Sequence, residues 1–210
     1  MDTNSTIKNY LESLSSNSPT PGGGNVAAFC GALSSSLGTM VCNLTIGKKK
    51  YANVESDMIN LATNLKTFVD DFTKLAREDN EAFDKVMGAF KLPKETDANK
   101  LERDNQIQEA TIGASIVPAN VIKKCYELIP FLIEIADKGN SNSISDVGVA
   151  LLLADTAAKG AYLNVLINCS SLDNQTIAYE IIKQNELFVN EISNQVELKY
   201  EAILSSLKKN

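Results

Sequence analysis

Residues 18–51 read SPTPGGGNVAAFCGALSSSLGTMVCNLTIGKKKY, and much of the fold can be inferred from them. Pro19 and Pro21 hold the chain extended, because proline fixes its own φ and disfavours a helical residue before it. The glycines at 22–24 leave the backbone uncovered, and Asn25 is predicted to cap the next helix. A glycine-rich loop at a helix N-terminus presents free N–H groups to an anion, so this loop is a candidate ligand clamp. The alternative is a turn that only starts the helix.

The helix predicted from Asn25 to about Gly47 has no charged residue between Val26 and Gly47 and is followed by Lys48, Lys49 and Lys50. Its length and composition allow a membrane span. Serine, threonine and asparagine residues interrupt the apolar run, however, so we expect the central helix of a bundle, buried all round and without a membrane partner. Its small residues, which include Gly31 and Gly38, should let neighbouring helices approach closely.

Composition limits the function classes. The chain has 210 residues, 44% of them hydrophobic, and a formal net charge of −6, which argues against nucleic-acid binding. It has no histidine, and its four cysteines form no CxxC pair, so we expect reduced core thiols and no metal site. The N-terminus lacks the pattern of a signal peptide, so we expect a cytoplasmic protein with a single domain over residues 1–210.

The remaining patterns are helical. A short amphipathic helix is expected over Thr6–Leu14 with Ile7, Tyr10, Leu11 and Leu14 facing inward, and a long one over Tyr51–Phe90. No segment shows the alternation typical of a strand. The fold class is therefore predicted to be all-α, a single-domain bundle of long helices around a central helix rich in small residues.

One carboxylate departs from the pattern of the long helix. Its apolar stripe alternates spacings of four and three up to Leu75, and a further four residues give Asp79. A buried carboxylate needs a partner or a raised pKa, and such groups concentrate at functional sites. Asp79 is thus the leading candidate for chemistry. The alternative is a break in the helix that turns Asp79 to solvent.

Later segments add caps and polar residues. Thr96 or Asp97 should cap a helix that Pro118 kinks or restarts and that stops at Gly139. In the turn over residues 140–146, Ser145 or Asp146 should cap the next helix, and this capping explains Asp146 without a ligand. Asn164 and Asn168 lie one turn apart and could bind a neighbouring helix or a heterocycle. Asp173 should cap the last helix.

Three motifs together carry a resemblance. SPTPGGGNVAAFCGAL with NLTIGKKKY, then REDNEAFDKVMGAFKLPK, and then GNSNSISDVGVA with KGAYLNVLIN resemble the cyclodeaminase/cyclohydrolase family over nearly the whole chain. The resemblance implies an all-helical homodimer that acts on one-carbon derivatives of tetrahydrofolate and needs no metal or redox cofactor. Because 210 residues leave no room for a formiminotransferase, we expect a methenyltetrahydrofolate cyclohydrolase. The alternatives are a formiminotetrahydrofolate cyclodeaminase and a non-catalytic folate-binding dimer.

The matching motifs also imply the site residues. Catalytic roles are expected for Asp79, Lys48 and Asp146, and the lysines following the central helix should bind the anionic glutamate tail of the folate. The expected substrate contacts come from Pro21, Gly22, Gly23, Gly24, Asn25, Asn43, Lys49, Lys50, Asn140, Ser145 and Asn164. The alternative for the lysines is a solvated helix C-terminus favoured by the helix dipole.

Overall fold

The computed structural model of the protein describes residues 6–208, and this part of the chain forms six α-helices and no strand. Residues 1–5 and 209–210 lie outside the described residues. The predictions that the single domain includes these residues and that the N-terminus is not a signal peptide therefore stay predictions at these positions. The all-α prediction is confirmed. The helices are α1 (Ile7–Leu14), α2 (Gly23–Thr45), α3 (Glu55–Phe90), α4 (Asp97–Lys138), α5 (Ile144–Cys169) and α6 (Gln175–Lys208), with short 3₁₀ turns at Lys49–Val54 and Ser141–Ser143.

Helix α2 lies at the centre because glycines bring its backbone close to α3. A Cβ atom added to Gly31 would lie 2.5 Å from the ring of Phe72, and one added to Gly38 would lie 3.0 Å from Leu65. These pairs run in opposite directions along the chain, so α2 and α3 are antiparallel. The predicted close packing of the small-residue face is confirmed.

The other long helices complete an antiparallel bundle. Ser34 Oγ donates to the carbonyl of Ala150 at 2.7 Å and links α2 to α5. Lys124 pairs with Asp71 at 3.1 Å and joins α4 to α3. Helix α6 packs on α4 and α5 from outside. All four cysteines are free thiols, and Cys30 is only half-buried, whereas Cys42, Cys125 and Cys169 are buried.

Several local predictions need correction. Gly22 rather than Asn25 is the N-cap of α2, Ser143 rather than Ser145 or Asp146 precedes α5, and residues 49–54 form a 3₁₀ turn before α3. The Asn174 side chain accepts from the N–H groups of residues 176 and 177, so it caps α6 in place of Asp173. Helix α4 runs through Pro118 and Pro130 without a restart, while the predicted Thr96 cap and Gly139 stop are confirmed.

The prediction that α2 is buried all round is wrong. Leu33, Met40 and Leu44 are each about 40% exposed on one side of the helix. By length and hydropathy, Gly23–Thr45 and Ser141–Cys169 could each cross a membrane; the bundle buries 56% of the first window and 39% of the second. In α1 only Tyr10 is buried, whereas Ile7 and Leu11, predicted to face inward, are exposed.

Helices α3 and α4 extend beyond the N-terminus of α2. Gly24 lies level with Asp79, and Asn168 near the end of α5 donates to the carbonyl of Ala114 at 2.8 Å. We call the turns of α3 after Asp79 and of α4 before Ala114 the α3–α4 arm; within it, Gln108 of α4 bonds to residues 171 and 173, which follow α5. From Asp79 to Phe90 this arm is about 16 Å long, given a rise of 1.5 Å per residue.

Candidate active site

The glycine loop lies directly against Asp79. A Cβ atom on Gly24 would lie 2.7 Å from Cγ and 2.9 Å from Oδ2 of Asp79, so only glycine leaves room for the carboxylate. The backbone N–H of Asn25 donates to this carboxylate. Helix α3 is continuous through Asp79, so the alternative of a helix break is wrong. The first turn of α2 and the middle of α3 thus create this contact.

Asp79 is half-buried, and burial raises its pKa above the ordinary value of 3.8. Burial disfavours the charged form, and the hydrogen bond from Asn25 offsets only part of this effect. The sequence left the direction of the shift open, because a nearby lysine would have lowered the pKa. Among the described residues, Asp79 has no salt bridge within 4.0 Å, and desolvation is the largest effect on its pKa.

Asn25 holds this arrangement in place instead of capping the helix. Its Oδ1 accepts from the Tyr10 hydroxyl at 2.9 Å, and its Nδ2 donates to the Ala76 carbonyl at 2.6 Å and to Asn80 Oδ1 at 3.3 Å. The side chain is fully buried, and both ends of its amide have protein partners. Asn25 therefore reaches the site through its backbone N–H, with its side chain as an anchor.

Asn164 lies on the other side of the loop. Its Nδ2 donates to the carbonyl of Gly160 at 2.9 Å and would lie 3.5 Å from a Cβ on Gly23. We call Pro21–Asn25, Asp79 and Asn164 the glycine-loop cluster. These predicted site residues come from distant parts of the sequence, and the structure brings them together.

The lysines lie at the opposite end of α2. Helix α2 has 23 residues. Its length is about 33 Å at 1.5 Å per residue, so Lys48, Lys49 and Lys50 cannot share one small site with Asp79 of the same chain. Within one chain, the three lysines therefore lie at the end of α2 opposite the glycine loop.

A second group surrounds the lysines, and its main member, Tyr51, was not predicted. The Ser141 backbone N–H donates to the Tyr51 hydroxyl oxygen at 2.9 Å, with Ser141 Oγ at 3.1 Å and Lys50 Nζ 5.2 Å from the ring centre. Hydrogen bonds from Ser141, with Lys50 contributing, lower the pKa of Tyr51 to about 8. The sequence feature that could have identified Tyr51 is its position directly after the three lysines. We call Lys48–Tyr51, Asn140 and Ser141 the lysine cluster.

The other predicted residues lie near this cluster. Asn140 Oδ1 accepts from the Asn142 N–H at 3.1 Å, and its Nδ2 donates to the Leu44 carbonyl at 3.2 Å. Asn43 and Ser145 are exposed, and Asp146 is half-buried in the first turn of α5. Asp146 and Lys48 thus belong to this end, away from Asp79. Within residues 6–208, no group of three or more Cys, Asp or Glu side chains could hold a metal ion.

Comparison with known proteins identifies relatives along nearly the whole chain. It is 43% identical to the methenyltetrahydrofolate cyclohydrolase of Methylorubrum extorquens, over 97% of this chain and 98% of that protein. It is 31% identical to the rat formimidoyltransferase-cyclodeaminase, over 96% of this chain but only 37% of that longer protein. A solved structure of formiminotetrahydrofolate cyclodeaminase from Thermotoga maritima superposes with a TM-score of 0.82 at 29% identity, covering 96% of this chain and 98% of the other.

The family model described as formiminotransferase-cyclodeaminase matches residues 6–186. This range includes the glycine loop, Asp79, the lysine cluster and Asn164. The resemblance stated from the motifs is confirmed, and the chain belongs to the formiminotransferase-cyclodeaminase family.

Proposed function

We propose that the protein hydrolyses 5,10-methenyltetrahydrofolate to 10-formyltetrahydrofolate in the cytoplasm, without a metal or redox cofactor. The 43% identical relative named for this activity supports the proposal over the full length of both chains. In the reaction, water adds to the amidinium carbon, the bond from this carbon to N5 breaks, and N5 receives a proton while a second proton is released. The chemistry needs a base for the water and a donor for the nitrogen.

The observation that carries the proposal is the half-buried carboxylate held against the glycine loop. Asp79 is the base in this mechanism: its raised pKa makes it a better proton acceptor than an ordinary aspartate, and the Asn25 N–H fixes its orientation. The nearby glycines let the substrate approach the backbone. Asn164, which lies beside Gly23, contributes a polar side chain to the same site.

The lysine cluster requires a second subunit if it is to serve the same substrate. Folates carry anionic glutamate carboxylates, and Lys48–Lys50 form a basic segment in an acidic chain. We infer a homodimer in which α2 packs antiparallel to α2 of the partner, so that each lysine cluster reaches the partner's glycine loop. Lys48 and Asp146 then act on the substrate bound by the partner's Asp79.

The exposed faces of α2 and α5 support this dimer. These two helices pack together, and each keeps an apolar stripe in solvent, formed by Leu33, Met40 and Leu44 on α2 and by Val149, Leu152, Leu163 and Ile167 on α5. Lys159 at the edge of the α5 stripe pairs with Asp155 at 2.8 Å. A two-fold axis perpendicular to α2 would bury both stripes in a self-complementary interface and join unlike ends of the two helices.

Mixing two inactive variants tests the shared site. We expect Asp79→Asn and a variant with all three lysines changed to methionine to be nearly inactive alone. After subunit exchange at equal amounts, half of the dimers are hybrids with one intact site, so the mixture should recover about a quarter of wild-type activity. Exchange without any recovery, monitored by a size tag on one variant, would show that each site is built from one chain.

The second candidate function is cyclodeamination of 5-formiminotetrahydrofolate, with loss of ammonia and formation of the methenyl compound. The superposition on the Thermotoga maritima cyclodeaminase favours it, and the same carboxylate would serve a reaction at the same carbon. The deciding experiment follows the loss of methenyltetrahydrofolate absorbance and, separately, ammonia release from the formimino compound. Turnover in the first assay supports the cyclohydrolase. Turnover only in the second assigns the cyclodeaminase, and binding without turnover in either assigns a folate-binding dimer.

A further inference from the structure

A large cleft opens in the α3–α4 arm beside Asp79. It measures about 670 Å³, which lies within the usual range for ligand sites. Its floor is formed by small residues that face one another across the two helices, namely Ala82 and Ala89 of α3 and Ala110 and Gly113 of α4. Because these side chains are small, they leave an open space between α3 and α4, whereas larger side chains fill the space between helices elsewhere in the bundle.

The inner end of the cleft lies beside the turn of α3 that carries Asp79. Glu78, which directly precedes Asp79, and Ala82, one turn further along α3, both line the cleft. Side chains three residues apart on a helix are neighbours, so Asp79 lies at the border between this cleft and the glycine loop. A ligand that occupies the inner end of the cleft can therefore place its reactive carbon near Asp79.

The cleft is acidic. Glu78, Glu81 and Glu109 line it, and Lys85 is the cationic side chain on its wall. This charge repels the glutamate tail of a folate. It attracts the other half of the substrate, because methenyltetrahydrofolate carries a positive amidinium and its pterin ring presents an amino group and a ring N–H on one edge. A carboxylate can accept two parallel hydrogen bonds from such an edge.

We propose that the α3–α4 cleft binds the pterin and amidinium half of the substrate and that Glu78 accepts the hydrogen bonds of the pterin edge. This inference rests on the proposed folate chemistry and adds the substrate's orientation. Glu78 is the half-buried carboxylate of the three, with its side chain 35% exposed, whereas Glu81 and Glu109 are exposed. Lys74 Nζ lies 3.4 Å from Glu78 Oε1, beside the cleft.

Gly113 offers a direct way to fill the cleft. A Cβ atom built on Gly113 meets no atom within 4 Å, so a leucine there projects into open space without displacing the helices. Leucine also has a higher helix propensity than glycine, which favours a folded variant. Gly113→Leu therefore blocks the cleft sterically, whereas Glu78→Gln keeps its shape and removes the charge.

The test uses 6-methyltetrahydropterin, which has the pterin ring but no tail, as an inhibitor of methenyltetrahydrofolate hydrolysis. We expect Gly113→Leu and Glu78→Gln to raise KM for the substrate and the inhibition constant of the pterin by about tenfold or more, the scale of one lost charged hydrogen bond. Matched changes on the exposed face of α6, Asn194→Leu and Glu197→Gln, should leave both constants unchanged. Replacing Lys48–Lys50 with methionine should leave the affinity for the pterin, measured by calorimetry, unchanged.

Unchanged constants in folded Gly113→Leu would overturn the proposal, and if that variant fails to fold, Glu78→Gln decides in the same way. Calorimetric binding of 6-methyltetrahydropterin to wild type and to both variants separates the cleft from the chemistry. If wild type binds the pterin in a Glu78-dependent manner but hydrolyses no methenyltetrahydrofolate, the cleft assignment holds and the proposed function fails. If wild type is active but neither substitution changes its affinity for the pterin, the cleft assignment is wrong and the proposed function stands.

Discussion

Replacing Asp79 with asparagine tests the proposed role of Asp79 as the general base. The structure indicates that the variant keeps its geometry, because asparagine has nearly the same shape and retains an oxygen to accept the Asn25 N–H. It cannot accept a proton from water. Since general acid–base groups contribute about 10² to 10⁴ in rate, we expect kcat to fall by that factor, about 3 to 5 kcal/mol of barrier.

The pKa of Asp79 gives this prediction a second, independent measurement. An acid whose pKa is raised on folding destabilises the folded state as pH rises from its unfolded pKa through its folded pKa. At pH 7 Asp79→Asn should therefore unfold in urea at a concentration at least as high as wild type, and the difference should shrink below about pH 4, the ordinary aspartate range. The acid limb of the wild-type kcat/KM profile should lie above the ordinary value of 3.8.

Two results would refute the reasoning. A folded Asp79→Asn with kcat within about threefold of wild type would exclude a general base, which contributes far more than that. A variant that fails to fold, or that unfolds at a clearly lower urea concentration at pH 7, would make Asp79 a structural residue. Circular dichroism and sedimentation of the variant distinguish this case from loss of chemistry.

Substitutions at three closely packed glycines and at Tyr51 test the packing and the lysine cluster. Gly24→Ala should displace the adjacent Asp79 carboxylate and lower kcat by about 10²-fold, a loss on the scale of misplaced catalytic groups. Gly23→Ala should lower kcat less, because its methyl group would lie 3.5 Å from the nearest atom. Equal losses in the two variants would contradict the steric argument. Gly31→Val should overlap the buried Phe72 ring and destabilise the fold by about 3 kcal/mol in urea, the upper end for overpacking. Tyr51→Phe should remove a component near pH 8 from the tyrosinate absorbance titration, and its persistence would show that another phenol titrates there.

The bundle could be predicted from the sequence because its helices obey simple periodicity. The stripe that ends at Leu75 continues to Asp79, and a carboxylate at an apolar position was a visible departure from this pattern. Burial of Leu75 and half-burial of Asp79 confirm the interpretation. The close approach of Gly31 to α3 was predictable for the same reason, since small residues recurred on one face.

Contacts between distant segments could not be predicted. Asparagine is a common N-cap residue, but the side-chain amide of Asn25 forms hydrogen bonds with Tyr10 of α1 and Ala76 of α3 instead. These tertiary hydrogen bonds outweigh the local preference of asparagine for the N-cap position. The lysines follow the glycine loop in sequence, yet the intervening helix carries them away from it. The length of α2 and the exposed stripe along it are the observations behind our proposal that the two ends meet through a second subunit.

Helix α1 connects the N-terminal part of the described chain to the candidate site. Tyr10 is the buried residue of this helix, and its hydroxyl holds the side chain of Asn25, whose backbone N–H in turn holds Asp79. Two consecutive hydrogen bonds thus connect a peripheral helix to Asp79. A purification tag that shifts α1 would alter turnover while the melting temperature of the bundle stays constant, so kinetic constants should be measured with the tag at the C-terminus.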